Sequence, residues 1–284
     1  MSRSLAGRVV VVTDSTGDVP VDEAASLGLT VVPALLTVEG RTYVDDGRSF
    51  SRTELYRRMA RLEGLPTTAV PSTERFTAVY ESLLRAGAAH ILSIHLAGKL
   101  SGMFHTAAQA AREFGERVRV FDSAQVSLAL GFQAMEAAAA AQAGESIQRV
   151  LEVAQKARDA ARLIAMLNTL EFVRRSGRVS WLRASLGSML NIKQLVEVVD
   201  GTIRRLDRVR TRSRALDALR QTVAAWGPLK RLAILHTAVP EEAGALRDEL
   251  QGLSKLAPLV VEVTTIIGAH VGPESIGMAA LLAG

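Results

Sequence analysis

Short aliphatic runs alternate with stretches of helical periodicity through the first half of the chain. Val9–Val12 and Leu29–Val32 are the first two runs, and Pro33 closes the second. Leu35–Val38, Glu39–Gly40 and Thr42–Val44 predict a small hairpin. Ser51 followed by Glu54 reads as a capping box, in which hydroxyl and carboxylate satisfy orphan amides reciprocally, and it opens a helix of about three turns. Pro66 ends that region. From Ser72, the residues Phe76, Val79, Tyr80, Leu83 and Leu84 fall on one helical stripe. The strand His90–His95, a helix from Ser101 and the strand Val118–Phe121 follow. Strands separated by helices of this length pair in parallel through right-handed crossovers, so residues 1–160 are expected to form an α/β domain with an open, mostly parallel sheet.

Phe132–Ala143 predicts an alanine-rich helix ended by Gly144, and a second helix from Ser146 leads to the strand Leu163–Leu167. Gln194–Val199 and Thr202–Arg208 flank Asp200–Gly201, whose residue types supply the positive φ angles of a type I′ hairpin turn. A helix around Arg214–Trp226, the strand Leu232–His236, a helix around Glu241–Leu250 and the strand Leu259–Thr264 complete the pattern. Residues 161–284 are therefore expected to form a second α/β domain with a mixed sheet. No long-period repeat or low-complexity linker is present.

Composition narrows the possibilities. A chain of 284 residues has room for two domains, and its 12 aromatic residues are too few for stacking platforms on single-stranded nucleic acid. With no cysteine, disulfides, thiolate metal sites and cysteine nucleophiles are excluded. The early run Val9–Val12 is far too short for a signal peptide or a membrane span, so a cytoplasmic protein with no integral membrane association is expected. The net charge of +5 is uneven: residues 1–160 carry 17 basic and 18 acidic side chains, and residues 161–284 carry 17 and 11. Five of the 34 basic residues are lysines, which favours forked, planar hydrogen bonding over point charges.

Polar residues gather where the early strands end: Asp14 and Ser15 after the first, Ala97–Ser101 with Gly102 after His95, and Asp122 and Ser123 after Phe121. In open α/β sheets ligands bind outside the carboxyl ends of strands, although Asp and Ser at such positions also serve as helix caps. Gly98–Lys99 fails the phosphate-loop spacing, with Ser93 and Leu100 at the diagnostic positions, and neither Ser101 nor Ser188 sits in a nucleophile elbow. His90, His95, His105, His236 and His270 show no metal-ligand spacing, so no metal is expected. His270 stands apart within the glycine-rich run 267–273 (IGAHVGP), where a strand end could aim an imidazole into a crevice. The arginines form two knots, one of Arg174, Arg175, Arg178 and Arg183, the other of Arg204, Arg205, Arg208, Arg210, Arg212 and Arg214. Simple alternation would put Arg204, Arg208 and Arg210 on one face of the second hairpin strand and Arg205 on the other. Such a run is either a solvated face, or a docking surface for an acidic partner or a phosphate contact.

At these loops the sequence resembles the DegV family, bacterial fatty-acid-binding proteins that include the B subunit of fatty acid kinase. The resemblance runs through Val12–Thr16 (VTDST), Pro66–Thr68 with Pro71, Leu100–Gly102 (LSG), Phe121–Ser123 (FDS), Leu170–Arg178, Val209–Thr211 and Gly268–Pro273, in order along essentially the whole chain. It implies two α/β domains, a long apolar pocket for one acyl chain, and a carboxylate near the interdomain crevice. By position it implies that Thr68 donates its hydroxyl to the carboxylate, that His270 hydrogen-bonds it and that Arg178 adds positive potential. Ala97–Gly98 stands where the family carries two serines, Ala69–Val70 replaces Ser-Gln, and Met103 replaces a threonine. Either the backbone amide of Gly98 and the helix start near Ser101 compensate, or the ligand differs from an ordinary fatty acid.

The resemblance implies a non-catalytic carrier with no cofactor beyond its bound fatty acid. It would present the carboxylate to a separate fatty acid kinase catalytic subunit, with Arg204, Arg208, Arg210 and Arg212 as the docking residues and a monomer as the expected state. Two rivals remain: an enzyme using His270 and Arg178 on a small carboxylate or phosphorylated metabolite, and nucleic-acid binding by the arginine-rich hairpin. The last lacks any recognition motif, and no nucleic-acid partner is expected.

Overall fold

A computed structural model describes residues 5–59, 61–62, 64–179 and 192–284, and Arg183 and Ser188 lie outside them. In chain order the strands are β1 (Val9–Asp14), β2 (Thr30–Val32), β3 (Leu35–Val38), β4 (Arg41–Val44), β5 (Thr67–Ala69), β6 (His90–His95), β7 (Val118–Asp122), β8 (Ala161–Leu167), β9 (Lys193–Val199), β10 (Thr202–Val209), β11 (Leu229–His236), β12 (Leu259–Glu262) and β13 (Ile276–Leu282). The chain divides into two compact units, one of residues 1–34 and 69–161, the other of residues 35–68 and 162–284.

The first unit holds a parallel sheet in the order β2-β1-β6-β7. All six residues of β1 are buried, as a two-sided parallel sheet requires. The helices Val21–Leu27, Thr73–Arg85 and Met103–Ala111 lie between its strands in sequence. On the Thr73–Arg85 helix the predicted stripe turns Phe76 and Tyr80 fully inward. The alanine-rich helix begins at Leu128, four residues ahead of the periodicity, and is buried along most of its length against β1 and the helix Ile147–Ala160. Its small side chains allow that close approach.

The second unit holds a six-stranded mixed sheet, β10-β9-β8-β13-β11-β12, and a three-stranded sheet, β4-β3-β5. The hairpin β9–β10 is antiparallel, and Asp200 and Gly201 take φ angles of 50° and 69° as the Asp-Gly reading requires. β13 lies inside the sheet beside β11, although its unpunctuated apolar run at the chain end carries no local strand signature. The helices Arg212–Ala225 and Pro240–Leu250 cover one sheet face through Leu216, Leu219, Leu246, Ile164, Ile234 and Met278. On the other face Leu167, Leu170, Val173, Val179 and Val196 form a smaller cluster with Ile203 and Val271 packed against it.

Residues 35–68 group with the second unit, whereas their position in the sequence places them in the first. Long-range bonds decide this: Arg52 donates to the Glu262 carbonyl, Tyr56 to the Val263 carbonyl and Thr265 to Asp45. The Ser51 capping box is half formed, with the Glu54 amide on the Ser51 hydroxyl at 3.4 Å. The Glu54 carboxylate pairs with Arg57 and Arg58. Among the described residues no helix is long and apolar enough to cross a membrane.

Candidate functional site

Thr68, Arg178 and His270, drawn from three distant points in the sequence, meet within the second unit. Thr68 lies on the short strand β5, Arg178 follows the helix Glu171–Ser176, and His270 sits in the last turn of the helix Thr265–Val271. The last placement corrects the expectation of a strand end. β12 stops at Glu262, and Thr264 takes up the extended N-cap conformation of that helix. Arg178 is next to Val179 and His270 next to Val271, so both emerge from the smaller apolar cluster.

The hydrogen bonds run in one direction. Arg178 Nη1 lies 3.1 Å from His270 Nδ1, and a guanidinium can only donate, so Nδ1 carries a lone pair. The ring proton is therefore on Nε2, which donates to Thr68 Oγ1 at 2.9 Å. Thr68 receives a hydrogen bond on its oxygen and keeps its own hydroxyl proton for an incoming acceptor. Burial and the adjacent Arg178 charge push the His270 pKa down from its ordinary 6.5 to about 3, so the ring is neutral in this arrangement. One fixed positive charge, a neutral ring and a hydroxyl with a proton to donate are groups that can hold an anion. A base that takes a proton only near pH 3 is poorly matched to proton abstraction at neutral pH.

The loops of the first unit are engaged with one another. Asp14, 1% exposed, accepts from the Thr16 amide at 3.0 Å, the Leu96 amide at 3.1 Å and His95 Nδ1 at 2.9 Å. Ser15 Oγ accepts from the Ala34 amide, Ser101 Oγ from the Met103 amide, and Ser123 Oγ from the Gln125 amide. Gly102 is the N-cap of the helix Met103–Ala111. Asp122 accepts the Ala124 amide at 2.8 Å and the Gly98 amide at 3.2 Å. Compensation by the Gly98 amide is one of the two alternatives for the missing serines on a ligand carboxylate. Here that amide is committed to a carboxylate of its own chain, because the β7 end brings Asp122 beneath it. Asp14 caps the short helix that follows it, whereas Ser15, Ser101, Asp122 and Ser123 tie backbone amides at the loops.

The basic hairpin also departs from simple alternation. A β-bulge between Arg205 and Asp207 leaves Arg204 in register with Glu197 and puts Arg208 in register with Gln194, next to Arg205 opposite Val196. Arg204 and Arg208 therefore occupy opposite faces, and Arg205 and Arg208 share the face of the smaller cluster. Arg210 lies beyond the strand end and is exposed. Arg212 is tied inward: its Nε reaches both Glu242 oxygens at 3.0 Å and its Nη1 the Glu274 carbonyl at 2.7 Å. As a docking residue Arg212 is thus replaced by a structural tie between two helices and the loop before β13.

Sequence reasoning missed a buried relay in the first unit. Tyr80 Oη donates to Ser93 Oγ at 2.9 Å, Ser93 Oγ lies 2.7 Å from His95 Nε2, and His95 Nδ1 reaches Asp14. Ser93, His95 and Tyr80 are each 0% exposed, so no substrate reaches this serine, and the arrangement braces strand ends. The available signal was the i, i+2 spacing of Ser93 and His95 on one strand face, together with an acid at the end of the neighbouring strand. Among the described residues no cluster of three His, Asp or Glu side chains is placed to hold a metal ion.

A sequence profile described as "Uncharacterised protein, DegV family" matches residues 8–283. A DegV domain-containing protein of Streptomyces coelicolor is 36% identical over 276 residues, covering 95% of this chain and 97% of the relative. A solved DegV family protein of Thermus thermophilus, described as binding fatty acid, is similar at a TM-score of 0.89 with 33% identity, over 97% of this chain and 100% of that one. DegV of Bacillus subtilis, a fatty acid binding protein, gives a TM-score of 0.84 with 26% identity, over 98% and 100%. Motif order, the two α/β units and a match over nearly the whole sequence converge, and the chain belongs to the DegV family.

Proposed function

We propose that this protein binds a long-chain fatty acid and holds its carboxylate on the Thr68 hydroxyl, with His270 and Arg178 behind it. The observation that carries the reading is the directed chain from Arg178 through neutral His270 to Thr68, which leaves the threonine proton for an anion. A carboxylate leaving water needs such donors to offset its desolvation, and charge-assisted bonds are the strong ones. The acyl chain adds ~0.8 kcal/mol for each buried methylene, so it dominates affinity. Fatty acid binding by the Thermus thermophilus and Bacillus subtilis relatives supports the same ligand class.

In this reading the protein is a cytoplasmic, monomeric, non-catalytic carrier that presents the carboxylate to a separate fatty acid kinase subunit for acyl phosphate formation. Arg208 and Arg210, exposed on the basic hairpin, are the docking residues, with Arg204 on the opposite face in a lesser role. Native mass spectrometry of purified protein and a thermal shift with oleate test the binding step. A co-purifying fatty acid or a clear upward shift is expected, and the absence of both would refute it. For the kinase step, pull-down with a fatty acid kinase catalytic subunit should weaken on the double substitution R208E/R210E, and unchanged capture would remove the docking assignment.

A further inference from the structure

Residues 35–68 supply Thr68, and the same segment grips the stem of the helix that carries His270. Arg52 donates to the Glu262 carbonyl, Tyr56 Oη lies 2.9 Å from the Val263 carbonyl and 3.3 Å from that of Thr264, and Asp45 accepts the Thr265 hydroxyl at 2.7 Å. Every position from Glu262 to Thr265 is held from this one segment, immediately before the helix. Tyr56 does more than hold the stem. A Cβ placed on Gly268 would stand 2.2 Å from Tyr56 Oη and 2.4 Å from its Cε1, so the phenol end of the ring fills the notch that glycine leaves.

Gly268 and His270 are two residues apart on a helix with ~3.6 residues per turn, which places them on nearly opposite sides. The buried Tyr56 therefore backs the helix from behind His270. At the helix end Gly272, with φ at 76°, has the Phe172 ring 2.3 Å from where a Cβ would be. Phe172 belongs to the helix that leads to Arg178. The imidazole is thus set between its donor Arg178 and its acceptor Thr68 by aromatic rings that seat on glycines.

We propose that Tyr56 is a positioning residue of the anion site, its ring filling the Gly268 notch and its hydroxyl pinning the Val263 and Thr264 carbonyls so that His270 reaches Thr68 and Arg178 together. The proposal rests on the reading of Thr68, His270 and Arg178 as a carboxylate receptor. Tyr56→Phe removes the hydroxyl and keeps the ring, whereas Gly268→Ala drives the ring out of its notch. A role confined to general stability would lower the melting temperature and leave the imidazole unchanged.

The test follows the His270 ring by NMR titration in the full-length chain, alongside oleate affinity by calorimetry and the thermal midpoint. In folded Tyr56→Phe the His270 midpoint should rise by about one unit or more toward its ordinary value, and oleate affinity should fall by about 3- to 10-fold. Gly268→Ala should move both further, and where it does not fold, Tyr56→Phe decides. A folded Tyr56→Phe protein with the wild-type His270 midpoint overturns the proposal, whatever its affinity for oleate. A shifted midpoint with unchanged oleate affinity keeps Tyr56 as the positioning residue and overturns the carboxylate-receptor reading.

Discussion

Thr68 contributes one hydrogen atom to the site, and its value depends on what lies behind it. With Arg178 donating to Nδ1 and Nε2 donating to the threonine, the hydroxyl oxygen already accepts one hydrogen bond and its proton is left to be donated. Thr68→Val should lower oleate affinity by about 10- to 100-fold in a calorimetric titration, the equivalent of ~1.5–3 kcal/mol for a hydrogen bond to a charged group, and Thr68→Ser should restore most of it. His95 poses the opposite case, a buried ring that bonds on both nitrogens without contacting solvent. His95→Ala should cost about 2–4 kcal/mol in urea unfolding, because Asp14 and Ser93 lose their shared partner inside the protein. Thr68, His270 and Arg178 were identifiable as single letters within recurring motifs. The tautomer that orders them was not, since it depends on which nitrogen faces a guanidinium 92 residues away.

At the scale of elements, the basic hairpin shows how one extra residue reassigns a surface. Strand periodicity alone predicts Arg204 and Arg208 together, and the bulge at Leu206 separates them while leaving Leu206 exposed. β10 is an edge strand, and a bulge with flanking arginines blunts an edge that would otherwise pair with a second sheet. Arg212, which looks like part of the same basic run, joins the start of its own helix to Glu242 and the Glu274 carbonyl. Arg212→Ala should lower the stability of the second unit by about 1–3 kcal/mol, read as a lower urea midpoint, since a half-buried bidentate pair leaves Glu242 without its partner. Arg210→Ala should leave that midpoint within about 0.5 kcal/mol of wild type, as expected for an exposed side chain. The buried strands and amphipathic helices were legible because burial imposes a period of two or an unbroken apolar run. β13 and the grouping of residues 35–68 were not, because partners far along the chain decide both.

For the whole molecule, His270 makes stability depend on pH with a defined sign. Its folded-state pKa lies near 3 and its unfolded value near 6.5, so between these the unfolded chain takes up a proton that the folded chain refuses. Stability from this group is complete above about pH 6.5 and declines as the pH falls toward 3. Urea unfolding between pH 7.5 and 4.5 should show this decline, and His270→Gln should flatten it; an identical slope in the variant would remove His270 as the cause. The amino-acid sequence by itself determined the α/β class, the order of most strands and helices, the excess of positive charge in the second half and the family to which the chain belongs. Each of these follows from local periodicity, composition or short motifs. Only the tertiary structure decided that Gly98 serves Asp122, that Arg208 lies with Arg205, that His270 rides on a helix backed by Tyr56, and that residues 35–68 belong beside residues 262–265. Three of the four are meetings of groups separated along the chain, fixed by packing and by the need to pair buried donors with acceptors, and the placement of Arg208 follows from the register in which β10 pairs with β9.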